Sequence, residues 1–423
     1  MAIISMDDLR PGMTLATDLR TKQGRLLLPA GTSLTLEHIK IARTWGVAEA
    51  TVCPRSLNVS PGNILANLGP DAQDALKALI DWKFAWCDPD LPITRKLVAL
   101  FQRRIVSEMA VCDTAELLRK YRGPKFLDAP PALREGDCRP KMEHIVSGEV
   151  ELVTLPDIFH QLLEVAQRPT SSSAQIAEII SKDTSLSSRL LRLVNSSYFG
   201  FISKVDTLTR AVTIIGTVEV TNLAIGISIT SMFKDIPKDI IEMRDFWEHS
   251  IAVGTLARML AAQMNETGLE RMFVGGLLHD VGRLVLIKNH PATTAKILQL
   301  SCSSPHSLVE IEERTLGFTH AMLGGALLKA WNIPENLQAT VRDHHPSVRD
   351  AGFRSTHLIH IADIIAHAIG FGHSGSRRVP PIAEAVWKDT GLSLNVLPTV
   401  ITQAQNQLRD LMRVIVQEKS DAA

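Results

Sequence analysis

The stretch Gly275-Gly276-Leu277-Leu278-His279-Asp280-Val281-Gly282-Arg283 constrains this chain more than any other. A histidine and a carboxylate stand side by side in a run otherwise made of Gly, Leu and Val, continuing through Leu284, Val285, Leu286 and Ile287. An uncompensated carboxylate among buried aliphatic side chains costs several kcal/mol or is forced to protonate. Asp280 therefore requires a cation, a metal or several hydrogen bonds. The plainest answer is Arg283, three residues on, in a buried ion pair.

Other residues offer a second answer. His249 follows Asp245 by four and precedes Val253 and Leu256 by four and seven, so it lies on a helix face that continues apolar. His320 leads Leu323, Gly324, Leu327 and Trp331 at helical spacing. His344 and His345 follow Val341 at a helix end that Pro346 enforces, and Asp363 sits between Ile359 and Ala366 on a further helix. Imidazoles and carboxylates on separate helices of a bundle can hold two adjacent divalent ions, with an aspartate as the natural bridge. Such a donor set suits Fe, Mn, Zn or Ni, and its characteristic chemistry is in-line displacement at phosphorus. Each histidine alone is more often a core or surface residue than a ligand. His344-His345 can equally be a helix C-terminus whose imidazolium complements the dipole. His290, His306, His357 and His373 read as structural or solvated, and His360 and His367 as alternatives flanking Asp363 at three and four residues.

Composition narrows the setting. Lys plus Arg and Asp plus Glu number 45 each, so no global field draws the chain to nucleic acid or an anionic membrane, and neither is an expected partner. The five cysteines are dispersed without CxxC spacing, as expected of free thiols in a reducing compartment. The start, Met1-Ala2-Ile3-Ile4-Ser5-Met6-Asp7-Asp8, lacks the basic flank and apolar core of a signal peptide, and Leu223 to Phe233 is too short for a membrane span. The expectation is a soluble cytoplasmic protein.

Along the chain, residues 1–55 read as a small β-rich module. Strand-like runs at Thr14 to Leu19 and Arg25 to Leu28 precede a helix at Leu34 to Trp45, with Leu36, Ile39 and Ile41 as its apolar positions, and a return strand at Val47 to Val52. Residues 56–145 read as an intermediate helical segment, with helices at Asp71 to Trp86 and Ile93 to Met109, ending in a Pro- and Gly-bearing linker from Tyr121 to Arg139. From 146 to 416 the period is helical almost throughout. Leu155-Pro156-Asp157 opens one helix, Ser171 to Ser173 cap the next and Asp183 begins another; Gln417 to Ala423 should fray. The predicted fold is mainly α, a helical bundle with a small β-rich N-terminal module.

At this point the chain resembles a known superfamily. The order His249, His279-Asp280, distant Asp363 is similar to the HD-domain phosphohydrolases. Leu155-Pro156, the segment Asp183 to Ser196, Ala211 to Gly216, Gly317-Phe318-Thr319-His320, Trp331-Asn332-Ile333-Pro334 and His344-His345 resemble the HDOD family, output domains of bacterial signalling proteins, over roughly residues 146–370. Leu9 to Met13 and Gly24 to Thr32 look like the leader of some HD-GYP cyclic di-GMP phosphodiesterases. The HDOD likeness implies a regulatory or binding module of signal transduction with protein signalling partners. The HD-GYP likeness implies a two-metal phosphodiesterase whose ligand is a nucleotide or cyclic dinucleotide. It makes His249, His279, Asp280, His320, His344, His345 and Asp363 the metal ligands, with Asp245 as an extra carboxylate and Asp280 and Arg283 in catalytic positions. The chain departs from HD-GYP where Arg283 replaces the usual lysine. It departs again where Pro346-Ser347-Val348-Arg349-Asp350-Ala351-Gly352 stands in place of the GYP loop.

Overall fold

The computed structural model describes residues 2–6, 9, 12–21, 26–45, 47, 49–53, 70–109, 114–122, 140–152, 157–166, 168, 171–233, 236–345 and 354–416. The chain divides into two compact units, one of Met1–Ala85 with Pro89–Lys125, the other of Trp86–Asp88 with Phe126–Ala423. The helices after the β-rich segment thus group with it.

In the first unit, β1 (Ala2–Ser5) pairs antiparallel with β4 (Glu49–Val52), and β2 (Leu19–Arg20) with β3 (Leu26–Leu28). Between β3 and β4 runs α1 (Leu36–Thr44), whose N-cap Thr35 accepts from the backbone N–H of His38. Leu15, Leu19, Leu34, Ile39, Ala42 and Val52 close its core. The strand expected over Thr14 to Leu19 shrinks to isolated bridges, Thr14 with Ser33 and Leu15 with Val52, followed by β2. Ile41, read as an apolar position of α1, is 41% exposed. Two residues beyond the buried Ile39 is about 200° around a helix, so Ala42 takes the inner face instead.

The same unit contains α2 (Pro70–Lys83), α3 (Pro92–Met109) and α4 (Thr114–Arg122). Helix α3 buries Ile93, Leu97, Phe101, Ile105 and Met109, a strict i,i+4 stripe. The expected linker does not begin at Tyr121. That residue is the buried anchor of α4, edge-on to Phe101 at 5.1 Å and donating its hydroxyl to Glu108 at 2.9 Å. Residues 123–139, like Leu155-Pro156, Pro346 to Gly352 and the tail from Gln417, lie outside the described residues.

The second unit is helical. It runs through α5 (Met142–Leu152), α6 (Asp157–Ala166), α7 (Ser173–Ser181), α8 (Thr184–Val194), α9 (Leu208–Ile215) and α10 (Thr217–Thr230). It continues with α11 (Met243–Gln263), α12 (Leu269–Leu278), α13 (Val281–Asn289), α14 (Pro291–Ser303) and α15 (Leu308–Leu316). The last helices are α16 (His320–Ala330), α17 (Glu335–Arg342), α18 (Arg354–Ile369), α19 (Glu384–Thr390) and α20 (Leu397–Ile415). Local chemistry explains the starts. Ser172 and Ser307 form capping boxes with Gln175 and Glu310, while Asp183 and Thr319 accept from N–H groups three residues on. No single described helix is long and apolar enough to cross a membrane; α9 and α10 pass such a test only jointly and are bent by 118°.

The long helix α11 is packed by α12, α18 and α20, and α13 lies on α16. Two glycines permit these approaches. A Cβ on Gly276 would fall 2.5 Å from the Cα of Gly254 on α11, and one on Gly282 would fall 2.0 Å from the carbonyl oxygen of His320. The two contacts bracket His279-Asp280. The far end of α13 is held by Glu149 of α5, buried and paired with Lys288 at 2.8 Å and Asn289 at 3.0 Å.

Gly282→Ala is therefore expected to destabilise the protein by about 1–3 kcal/mol, because backbone must move. By contrast Gly148→Ala on α5, where a Cβ meets nothing within 4 Å, should stabilise by about 0.5–1 kcal/mol. Urea midpoints of the two variants, shifting in opposite directions, check both.

Candidate metal centre

The break between α12 and α13 brings two neighbouring side chains into one buried cluster. Asp280 has left the helical region at φ −99°, ψ 11°, and both it and His279 are buried. From Asp280 the two carboxylate oxygens face two groups of histidines. Oδ2 lies 3.2 Å from His279 Nε2 and 3.9 Å from His249 Nε2, whereas Oδ1 lies 3.0 Å from His320 Nε2 and 3.8 Å from His344 Nε2. The second carboxylate, Asp363 on α18, places Oδ1 at 3.0 Å from His249, 3.3 Å from His367 and 3.7 Å from His279. Three sets of donor atoms each lie within 4.8 Å of one another: His249, His279 and Asp280; His249, Asp363 and His367; His320, His344 and His345.

Hydrogen bonding on the outer ring nitrogens determines what the inner ones present. His279 Nδ1 is 2.7 Å from the carbonyl of Gly276, and His344 Nδ1 is 2.7 Å from that of Val341. His320 Nδ1 is 2.6 Å from Glu312 Oε2, which also accepts from the His320 backbone N–H at 2.9 Å. These acceptors hold a proton on each Nδ1, so each ring turns its Nε2 inward and presents a lone pair there once that nitrogen is deprotonated. His320 Nε2 then faces His344 Nε2 at 3.4 Å and His345 Nε2 at 3.2 Å. Converging lone pairs beside two carboxylates call for a cation. Among the described residues, Asp280 Oδ1, Asp363 Oδ1, His279 Nε2 and both nitrogens of His249 are buried without a hydrogen-bond partner. The donor set fits a divalent transition metal, with Asp280 able to span two ions.

One cation is already built in. Arg283, 5% exposed, donates from Nη1 to Asp280 Oδ2 at 3.2 Å and to the Ser374 hydroxyl, and its Nη2 is 3.2 Å from His320 Nε2. The Asp280–Arg283 pair expected as the plain alternative thus exists, but inside the histidine cluster and not instead of it.

The electrostatics follow from burial and charge. Burial opposes ionisation of Asp280, yet Arg283, His279 and His320 hold it well below the usual carboxylate range; His367 and His249 do the same for Asp363. Burial and neighbouring imidazoles push His344 and His345 well below the ordinary histidine value, so both are neutral. Burial also disfavours a charge on His279 and His320, but Asp280 beside the former and Glu312 with Asp280 beside the latter raise them.

Of the residues singled out from sequence, His249, His279, Asp280, His320, His344, His345, Asp363 and Arg283 converge. Asp245 does not. It turns to His373 Nε2 at 3.2 Å and joins none of the three donor groups, because the segment after α18 lies against its turn and His373 N–H donates to the Asp245 carbonyl. His367 enters a donor group, its position four residues after Asp363 being the available signal. Glu312 was not foreseen; it lies eight residues before His320 on another helix, where no periodicity links them. Beside the cluster is a cavity of about 150 Å3 lined by Trp86, Arg283, Ser307, Leu308, Val309, His345, His360, His367, Ser376, Pro380 and Pro381.

Residues 152–347 match the model of the HDOD domain. An uncharacterised protein of Treponema pallidum (strain Nichols) is 28% identical over 198 residues, 45% of this chain and only 37% of that protein's length. Among solved structures, a Shewanella amazonensis SB2B protein provisionally assigned as a phosphohydrolase aligns with TM-score 0.52 and 22% identity over 65% of this chain and all of its own. An HDOD domain protein of unknown function from Geobacter sulfurreducens aligns with TM-score 0.50 and 19% identity over 64% of this chain and 96% of its own. These likenesses show the fold. The family match ends before Asp363 and His367.

Two measurements probe the centre. Glu312→Gln should weaken metal binding by about 10–100-fold, since a weaker acceptor leaves His320 less basic and less firmly oriented. Metal uptake must displace protons from His279 and His320, whose pKa values are raised. Affinity should therefore rise with pH through those values and fall on acidification, with proton release visible in calorimetry in buffers of different ionisation enthalpy.

Proposed function

We propose that the HDOD unit is a metal-binding regulatory module of a cytoplasmic signal-transduction protein, acting through protein partners. The observation that carries the reading is the inward convergence of Nε2 lone pairs and two buried carboxylates on unpartnered positions. The domain match supports the signalling role. Bound there, a divalent ion supplies Lewis acidity and a lowered pKa for coordinated water. Glu312 and the backbone carbonyls of Gly276 and Val341 hold protons on the outer ring nitrogens, which keeps the ligand faces turned inward. The Arg283 guanidinium beside Asp280 holds its carboxyl below the usual carboxylate range.

A second reading, a metal-dependent phosphohydrolase acting on a nucleotide or cyclic dinucleotide, is favoured by one feature. The cavity beside the cluster has Arg283 in its wall, where a guanidinium can bind and orient a phosphoryl group.

Elemental analysis of untagged full-length protein is the test. The proposal expects stoichiometric Fe, Mn, Zn or Ni in wild type and its loss in His279→Ala, with no His279-dependent hydrolysis of cyclic di-GMP or nucleotides. Sub-stoichiometric metal after anaerobic reconstitution overturns both readings. Turnover abolished by His279→Ala replaces the first with the second.

A further inference from the structure

We propose that the connection Trp86–Asp88 is a clasp, which holds the wall of the cavity beside the cluster in place and so sets how fast an ion reaches or leaves the donors. The proposal rests on the metal-centre reading and adds a control on the rate of exchange.

The cavity adjoins the donors themselves. Its lining includes His345 and His367, members of two different donor groups, and His345 is the least buried member of all three groups. An ion that enters by this cavity thus meets a ligand of each group before any deeper one. The lining also includes Ser376, Pro380 and Pro381, from the segment after α18, together with Trp86 from far earlier in the chain.

Residues 371–381 form neither helix nor strand, so this wall has no ladder of its own and depends on ties to its neighbours. At its inner end the His373 N–H donates to the Asp245 carbonyl at 3.1 Å, and Ser374 accepts from Arg283. At its outer end Arg378 donates to the Ser304 carbonyl at 2.7 Å. The Trp86 indole N–H donates to that same carbonyl at 3.2 Å, and the Arg378 guanidinium lies 5.2 Å from the Trp86 ring centroid. The Cys87 thiol is 3.7 Å from the carbonyl of Val379 and 3.6 Å from that of Pro380. Two consecutive residues therefore fasten the outer end. Each contact is of a modest kind, a neutral hydrogen bond, a cation–π contact and a thiol, and such a fastening releases by local opening while the helices stay folded.

The place of these residues in the chain makes the fastening a control. Trp86–Asp88 group with the second unit, whereas Ala85 before them and Pro89 after them group with the first. Helix α2 ends at Lys83 and α3 begins at Pro92, so short connections tie the clasp to both helices. A shift of either helix along the chain reaches the cavity wall through Trp86. Trp86, Cys87 and residues 371–381 all lie outside residues 152–347, the segment matched to the HDOD model.

The experiment is stopped-flow measurement of Zn2+ uptake by metal-depleted full-length protein and of its release to excess EDTA. Amide hydrogen exchange of residues 371–379, followed by mass spectrometry, gives a second readout that needs no metal. A clasp changes both rate constants by one factor and leaves the dissociation constant unchanged, because the ion meets the same donors whether the wall is open or closed. Trp86→Ala should raise uptake and release about tenfold each, from the loss of one hydrogen bond and one cation–π contact, and should speed exchange at 371–379. Trp86→Phe keeps a ring for Arg378 but no N–H donor. It should raise both rates less, and it covers the case that truncation prevents folding. Rates unchanged in both variants overturn the proposal. Faster release with affinity weakened in proportion also overturns it, since that marks a residue that only supports the ligands. Faster exchange at 371–379 in a protein that takes up no Zn2+ keeps the clasp and overturns the metal reading, whereas Zn2+ bound with neither rate altered does the reverse.

Discussion

Everything in the helical unit answers to one carboxylate. Asp280 is about as buried as a side chain can be, and its two oxygens face different histidine pairs, so its charge needs partners on both sides at once. No single helix can supply them. Helix α11 brings His249, the α12–α13 break brings His279, α16 brings His320, the end of α17 brings His344 and His345, and α18 brings Asp363 and His367. Arg283 compensates part of the charge from within the same segment. A buried pair of this sort adds little net stability after desolvation is counted, while removing one partner is costly. That asymmetry ties the helices to one arrangement more firmly than apolar packing alone would.

Much of this was readable in the residues, for a physical reason. His249, His320 and Asp363 repeat at helical spacing with Val, Leu and Ile, and a polar side chain on an apolar stripe must be inside and must be compensated. Asp245, expected as a ligand from the HD-GYP likeness alone, pairs with His373 instead, because its place four residues before His249 specifies a face of α11 but not what packs on it. The logic of helical spacing failed at Ile41, where a two-residue step from Ile39 was read as one face. Glu312 carried no signal at all, since its partner sits across a helix-to-helix turn. The short strand β1 hides in an N-terminal stretch whose pairing partner, β4, lies some fifty residues on, a separation that local pattern cannot see. Tyr121 was hidden by its neighbours, the Pro and Gly residues that follow it.

The boundary of the HDOD match is informative in the same way. It takes in the HD dipeptide and the histidines up to His345 but stops short of α18 and the segment after it. Those later residues contribute Asp363 and His367 to the cluster, Ser374 to Arg283, and Ser376 with the two prolines to the cavity. The matched segment thus supplies six of the eight clustered donor residues, and the chain's continuation adds Asp363 and His367.

The contact of Gly282 with the carbonyl of His320 bears on transplantation. Copying the ligand side chains onto another bundle would not copy the centre, because the distance between α13 and α16 is determined by an absent side chain. A scaffold with any Cβ at that crossing would hold the two helices apart and leave His320 short of Asp280. The unit that can be moved is therefore a pair of backbones in contact, with the glycine counted among the functional residues although it binds nothing.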